Sequence, residues 1–129
     1  MDIYRQYEFI LKENESIEKE QSKIRVAINN YENKKNENTI VKKELAELDE
    51  EDVVYKLIGP ILIQQETAEA KVQVDSRIEM INKEIQKLER NYRENNKKLE
   101  VNREKLKDIQ NKLIQVSKQL EQIKKNEGK

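Results

Sequence analysis

Val53-Val54-Tyr55-Lys56-Leu57-Ile58-Gly59-Pro60-Ile61-Leu62-Ile63 places eight apolar residues in eleven positions. The chain around it is 40 % charged, with a mean hydropathy of −1.06. Burying one large apolar side chain is worth about 1.5–3 kcal/mol, so leaving the whole set in water forgoes on the order of 10–20 kcal/mol. The segment therefore needs cover. Val, Ile and Tyr favour strand over helix, and Gly59-Pro60 stops any helix. Two apolar runs flanking that pair predict a β-hairpin with strands near 53–58 and 61–66. Val53, Tyr55 and Leu57 fall on one face, Val54 and Ile58 on the other. An isolated two-stranded hairpin is marginal in water, and its two edges offer unpaired backbone groups. Other chains are expected to add strands to it. The expected joining surface is Val53, Val54, Tyr55, Leu57, Ile58, Gly59, Pro60, Ile61, Leu62 and Ile63.

Outward from the hairpin, the apolar residues change period from two to seven. Ile3, Ile10, Ile17, Ile24, Tyr31, Asn38 and Leu45 follow one another at heptad spacing, six of the seven apolar. Their companions three residues on are Gln6, Glu13, Glu20, Ala27, Lys34, Val41 and Leu48, of which three are apolar. No Pro or Gly interrupts residues 1–52. After the hairpin, Val74, Ile78, Ile81, Ile85, Leu88, Tyr92, Asn95, Leu99, Asn102, Leu106, Ile109, Leu113, Val116, Leu120 and Ile123 form a seam apolar at thirteen of fifteen sites. That is a strong coiled-coil pattern. Thr67, followed by Ala68-Glu69-Ala70, reads as a helix N-cap. The expected architecture is mainly α: a long antiparallel two-helix coiled-coil hairpin with one central β-hairpin to which other chains add strands. Helix one is expected over about 3–51 and helix two over about 68–124, with a frayed tail at 125–129. Two registers one heptad apart fit the pattern. The one using both helices to their ends sets Ile3 near Ile123 and Leu45 near Ile81. Asn38, Asn95 and Asn102 read as register-setting polar layers.

Composition removes several function classes. Lys and Arg total 26 and Asp and Glu total 26, giving a formal net charge of zero. Nucleic-acid binding needs an excess of positive charge to displace counterions, so no nucleic-acid partner is expected. With no Cys and no His, disulfides, thiol catalysis, a His base and the common zinc sites are excluded. The Cys-free composition suits a reducing, cytoplasmic setting. The start MDIYRQYEFILKENE lacks a basic segment followed by an apolar block, so no secretory signal is expected. The longest apolar-rich run is broken by Lys56, Gly59 and Pro60 and is too short for a bilayer, so no membrane partner is expected. No phosphate-binding loop is present, and solvated carboxylates on every turn form no shielded pocket. Neither enzyme activity nor a cofactor is expected.

The end remote from the hairpin is unusual. Tyr4, Tyr7 and Phe9 make up half of all the aromatic residues, and with Leu11 they fall off the heptad line that Ile3 and Ile10 occupy. A helix needing one partner stripe would not be apolar on several sides. The polar companions Gln6, Glu13 and Glu20 belong to the same end. In the expected register they face Leu120, Leu113 and Leu106, and a buried unpaired carboxylate is costly. A loosely wound end is expected, with Ile3, Tyr4, Tyr7, Phe9, Ile10, Leu11, Leu113, Leu120 and Ile123 available to apolar patches of a non-native chain. The blander alternative is packing on helix two or on a neighbouring subunit.

A helix, then VYKLIGPILIQQ over Val54–Gln65, then Glu69-Ala70-Lys71 opening a second heptad helix, resembles the β class of prefoldin subunits. Heptads alone match thousands of proteins; this hairpin string does not. The α class carries two hairpins in a longer connector, and about sixteen residues leave room for one. The resemblance implies a heterohexamer of two α-type and four β-type subunits whose hairpins join in β-barrels while their coiled coils hold unfolded chains. It implies actin and tubulin as clients, the cytosolic chaperonin as recipient, and no ATP use. The competing reading is a structural coiled-coil scaffold or tether clasped through its hairpin. A homo-oligomer needing no α partner is a third. A scaffold would end in polar, well-paired helix, which this chain does not.

Overall fold

The computed structural model describes residues 2–49 and 51–128. Its elements are α1 (Ile3–Ala46), β1 (Val54–Ile58), β2 (Ile61–Gln65) and α2 (Thr67–Glu127). They group into two compact units. One holds Ile24–Arg90, and the other combines the segment through Lys23 with the segment from Asn91.

Local chemistry sets the ends of the elements. The Asp2 carboxylate accepts from the Arg5 amide at 2.9 Å and the Asp2 carbonyl from the Gln6 amide at 3.1 Å, so Asp2 caps α1. The helix stops at Ala46 rather than near 51. Glu47, Asp49, Glu51 and Asp52 follow it, and acids at a helix C-terminus oppose the macrodipole. The backbone turns instead: Leu48 N–H donates to Leu45 O at 3.2 Å, and the Asp49 amide donates to the Asp52 carboxylate at 2.8 Å. Thr67 does not cap α2. Its hydroxyl donates to the Asp52 carbonyl at 3.1 Å, and the Ala70 amide is accepted by the Glu66 carbonyl at 3.0 Å. α2 continues three residues past the expected 124, where Lys124 and Lys125 complement the negative helix end.

The paired strands are each one residue shorter than expected, with Val53 and Glu66 outside the ladder. Ile58 pairs with Ile61, so the loop is the two residues Gly59-Pro60. Gly59 has φ +57°, and the pyrrolidine ring holds Pro60 near −65°. Positive then negative φ, with Gly first, is the pattern of a type II′ turn, whose twist matches that of the strands.

Within the unit spanning Ile24–Arg90, Leu45, Ala70 and Val74 form a buried cluster, with Leu48, Val54 and Ile78 packed against it. Lys42 and Asp75 pair across the helices at 2.9 Å. This contradicts the expected register, in which Leu45 met Ile81. In the other unit, Gln21 and Asn95 form one cross-helix polar layer and Asn14 and Asn102 a second. One heptad towards the expected, longer overlap, Asn95 meets Ile28 and Asn14 meets Ile109. A stranded buried amide costs about 1–3 kcal/mol, and this decides the alignment.

The second stripe of α1 is likewise corrected. Tyr7, Asn14, Gln21 and Ile28, four residues after each heptad isoleucine, are buried or half-buried, while Gln6 and Glu20 are exposed. Glu13 is half-buried and accepts from Asn102 at 3.3 Å. The expected strings of carboxylates facing leucines therefore do not form. Asn38 makes no cross-helix layer either; its amide donates to the Lys34 carbonyl of its own helix at 2.8 Å. The surface pairs Glu15–Lys19 and Glu79–Lys83 lie at i,i+4 spacing and are exposed, where each is worth about 0.3–0.5 kcal/mol.

Candidate functional site

The hairpin's own helices cover little of it. Val54 packs on Leu45, Ala70 and Val74, and Lys56 is half-buried on the same face, opposite Ile63. Relative exposure is 52 % for Val53, 58 % for Tyr55, 67 % for Leu57, 52 % for Ile58, 61 % for Ile61, 64 % for Leu62 and 48 % for Ile63. The ladder brings Tyr55 beside Gln64 and Leu57 beside Leu62 on the outward face. Each strand has a single neighbour, so the outer edges of β1 and β2 keep free backbone donors and acceptors. Covering these seven side chains would recover on the order of 10 kcal/mol before the cost of association. The base is held at both ends, because the Thr67 hydroxyl ties the exit of β2 to the Asp52 carbonyl before β1. The hairpin is an exposed apolar platform tied at its base.

The second apolar surface lies at the end of α2. Every seam site from Val74 to Leu113 is buried or half-buried, whereas Val116, Leu120 and Ile123 are 49 %, 56 % and 52 % exposed. Pairing Asn14 with Asn102 sets Ile3 level with Leu113. From Ile114 to Glu127, about 20 Å of helix at 1.5 Å per residue, α2 has no partner among the described residues. Ile114 adds a fourth exposed apolar side chain there. On α1, Tyr4, Phe9 and Leu11 are exposed, Ile3 and Tyr7 are half-buried, and Ile10 is buried. Tyr7 was expected off the seam and lies on it. Ile10 and Ile109 floor a shallow cleft that Phe9 edges, with Lys105, Asp108 and Lys112 on its rim. Ile3, Ile10 and Leu113 thus serve the helix pair, leaving Tyr4, Phe9, Leu11, Leu120 and Ile123 facing solvent. Reasoning from the sequence missed Val116 and Ile114 as members of this surface. The signal for Val116 was its place in the α2 seam beyond the reach of α1, legible once the register is known.

Among the described residues, no cluster of acidic, His or Cys side chains could hold a metal, and no helix is long and apolar enough to cross a membrane. The chemistry on offer is apolar association and strand addition.

A profile of the family described as "Prefoldin subunit" matches residues 9–112. The chain belongs to the prefoldin subunit family. It is similar to prefoldin subunit 6 of Mus musculus, 48 % identical over 58 residues, which are 45 % of this chain and 46 % of that protein. Prefoldin subunit 6 of Arabidopsis thaliana is 51 % identical over 53 residues, 41 % of each chain. The Saccharomyces cerevisiae prefoldin subunit 6 is 42 % identical over 69 residues, 54 % of this chain and 60 % of its own length. The chain thus spans about half the length of the curated prefoldin relatives it matches. The crystal structure of the prefoldin beta subunit from Thermococcus strain KS-1 superposes with a TM-score of 0.75 at 20 % identity, covering 83 % of this chain and 94 % of that one. The likeness is one of fold: two long helices joined through a two-stranded antiparallel sheet.

Proposed function

We propose that this prefoldin-family chain is a β-type subunit of an ATP-independent co-chaperone. In this reading the hairpin joins those of α- and β-class subunits, two α-type and four β-type in all, and builds a shared β-barrel. The far ends of the helices hold unfolded chains, actin and tubulin among them, for delivery to the cytosolic chaperonin in the cytoplasm. The observation that carries the reading is the hairpin, with seven large apolar side chains about half or more exposed and an unpaired edge on each strand. Strand addition by sister chains satisfies both features at once. The uncovered Val116, Leu120 and Ile123, with Tyr4, Phe9 and Leu11, support client holding. Each contact is weak, and retention comes from several arms acting on one chain.

The test is to mix the purified chain with α- and β-class partners and to dilute unfolded actin into the product. The expected result is a defined hetero-oligomer that suppresses actin aggregation without ATP. A stable complex that leaves aggregation unchanged would remove the client-holding half. A homodimer indifferent to both partner classes would favour a scaffold clasped through its hairpin.

A further inference from the structure

Two polar layers cross the helix pair within the unit that combines the segment through Lys23 with the segment from Asn91. Gln21, 4 % exposed, donates through Nε2 to the Tyr92 carbonyl at 3.0 Å and to Asn96 Oδ1 at 2.8 Å, and its Oε1 accepts from Asn95 Nδ2 at 3.2 Å. Asn102, also 4 % exposed, donates through Nδ2 to Asn14 Oδ1 at 2.9 Å and to Glu13 Oε1 at 3.3 Å. No buried side-chain nitrogen or oxygen among the described residues lacks a partner. The layers are spaced seven residues apart on each helix, at 14 and 21 on α1 and at 95 and 102 on α2. That equal spacing works as a vernier. In the observed alignment both layers close. One heptad towards a longer overlap, Gln21 meets Asn102, but Asn95 meets Ile28 and Asn14 meets Ile109. One heptad the other way, Asn14 meets Asn95, while Gln21 and Asn102 lose their amide partners. A seam of isoleucine and leucine alone would tolerate all three, because apolar contacts carry little register information.

We infer that Asn14, Gln21, Asn95 and Asn102 form a register lock whose effect is to leave the end of α2 without a partner among the described residues. One heptad longer would set Val116 level with Tyr7 and Leu120 level with Ile3, covering most of the apolar stripe. An overlap that buries more apolar surface is thereby forgone, and the two layers are what stand against it. These four are positioning residues: none contacts a client, and they act through where they place Val116, Leu120 and Ile123. The lock itself is independent of what that end holds. Its consequence for client binding rests on the function proposed above.

The chain has no cysteine, so an engineered pair reports register without background. Ile10 and Ile109 line one cleft; I10C/I109C is expected to oxidise to an intramolecular disulfide and I10C/V116C not to. The exchange N14I/I28N keeps the composition and moves the α1 layers up one heptad, so that positions 21 and 28 match Asn102 and Asn95. In that background cross-linking is expected to shift at least tenfold from the 109 pair to the 116 pair. The milder N14I leaves Gln21 as the only α1 amide of the layers, able to meet either asparagine, and both cross-links are expected. A 109-to-116 ratio unchanged from the parent in both variants would overturn the lock. Suppression of actin aggregation by the assembled complex carrying N14I/I28N is the second readout. Severalfold weaker suppression supports the functional consequence; a shifted cross-link with full suppression keeps the lock and removes the client-holding role of the α2 end.

Discussion

Gly59 shows how one residue can matter with no packing at stake. A Cβ built there meets nothing within 4 Å, yet its φ is +57°. Gly59→Ala therefore costs backbone strain alone, about 1–2 kcal/mol. Hairpin-mediated association is expected to weaken about tenfold, with helical content unchanged by circular dichroism. Wild-type affinity would mean that the turn does not matter for joining. Thr67 acts through one hydroxyl. Thr67→Val keeps the shape but removes the donor to Asp52, and should lower stability by about 1 kcal/mol in urea unfolding. An unchanged midpoint would show that this tie is replaced by water. Neither role was fully legible in the sequence. Gly59-Pro60 announced a turn but not its type, because the sign of φ at Gly is free. Thr67 before an Ala-Glu-Ala start fits an N-cap on local grounds, and its bond to Asp52, fifteen residues away, is visible only once the hairpin has brought the two together. Asp2 as the cap of α1 was readable from local chemistry and was missed.

At the scale of the element, exposure separates what the chain needs for itself from what it presents to others. Leu57 and Leu62 face each other across the ladder and are 67 % and 64 % exposed. Leu57→Ser with Leu62→Ser should leave unfolding of the isolated chain within about 0.5 kcal/mol while abolishing assembly by sedimentation. A large loss of intrinsic stability would mean that the hairpin is part of the chain's own core. At the other end, Val116→Ser, Leu120→Ser and Ile123→Ser together should weaken client retention and spare both assembly and helix content. Ile109→Ala, at a site 6 % exposed, should instead cost about 2–3 kcal/mol. Leu106 and Leu113 are half-buried in the helix pair, so replacing them mixes the two effects. The elements themselves were largely readable. The hairpin's strands came within one residue because β-branched runs around Gly-Pro admit few alternatives. The end of α1 was misplaced because heptad counting runs through Leu48, while the acids around it act against the helix dipole.

Across the whole molecule, the family, the element order and the apolar hairpin follow from patterns printed along the chain, but the register does not. It depends on which amides meet, and Asn14 and Gln21 lay outside the stripe assigned to the α1 seam. Counting three residues from each isoleucine picked out Gln6, Glu13 and Glu20; the helices use the four-residue step. Asn95 and Asn102 read as polar layers, but nothing along the sequence names their partners, and using both helices to their ends favours the longer overlap. The error hid the uncovered end of α2 while leaving the hairpin untouched, since the need of Tyr55, Leu57, Ile58, Ile61, Leu62 and Ile63 for cover does not depend on how the helices slide. That need is tested most directly by sedimentation of the chain with and without an α-class partner, beside its Leu57→Ser, Leu62→Ser variant. The wild type should move from its 15.5 kDa mass into a complex several times heavier, and the variant should stay behind. A wild-type chain that remains a lone monomer in the partner's presence would contradict the account.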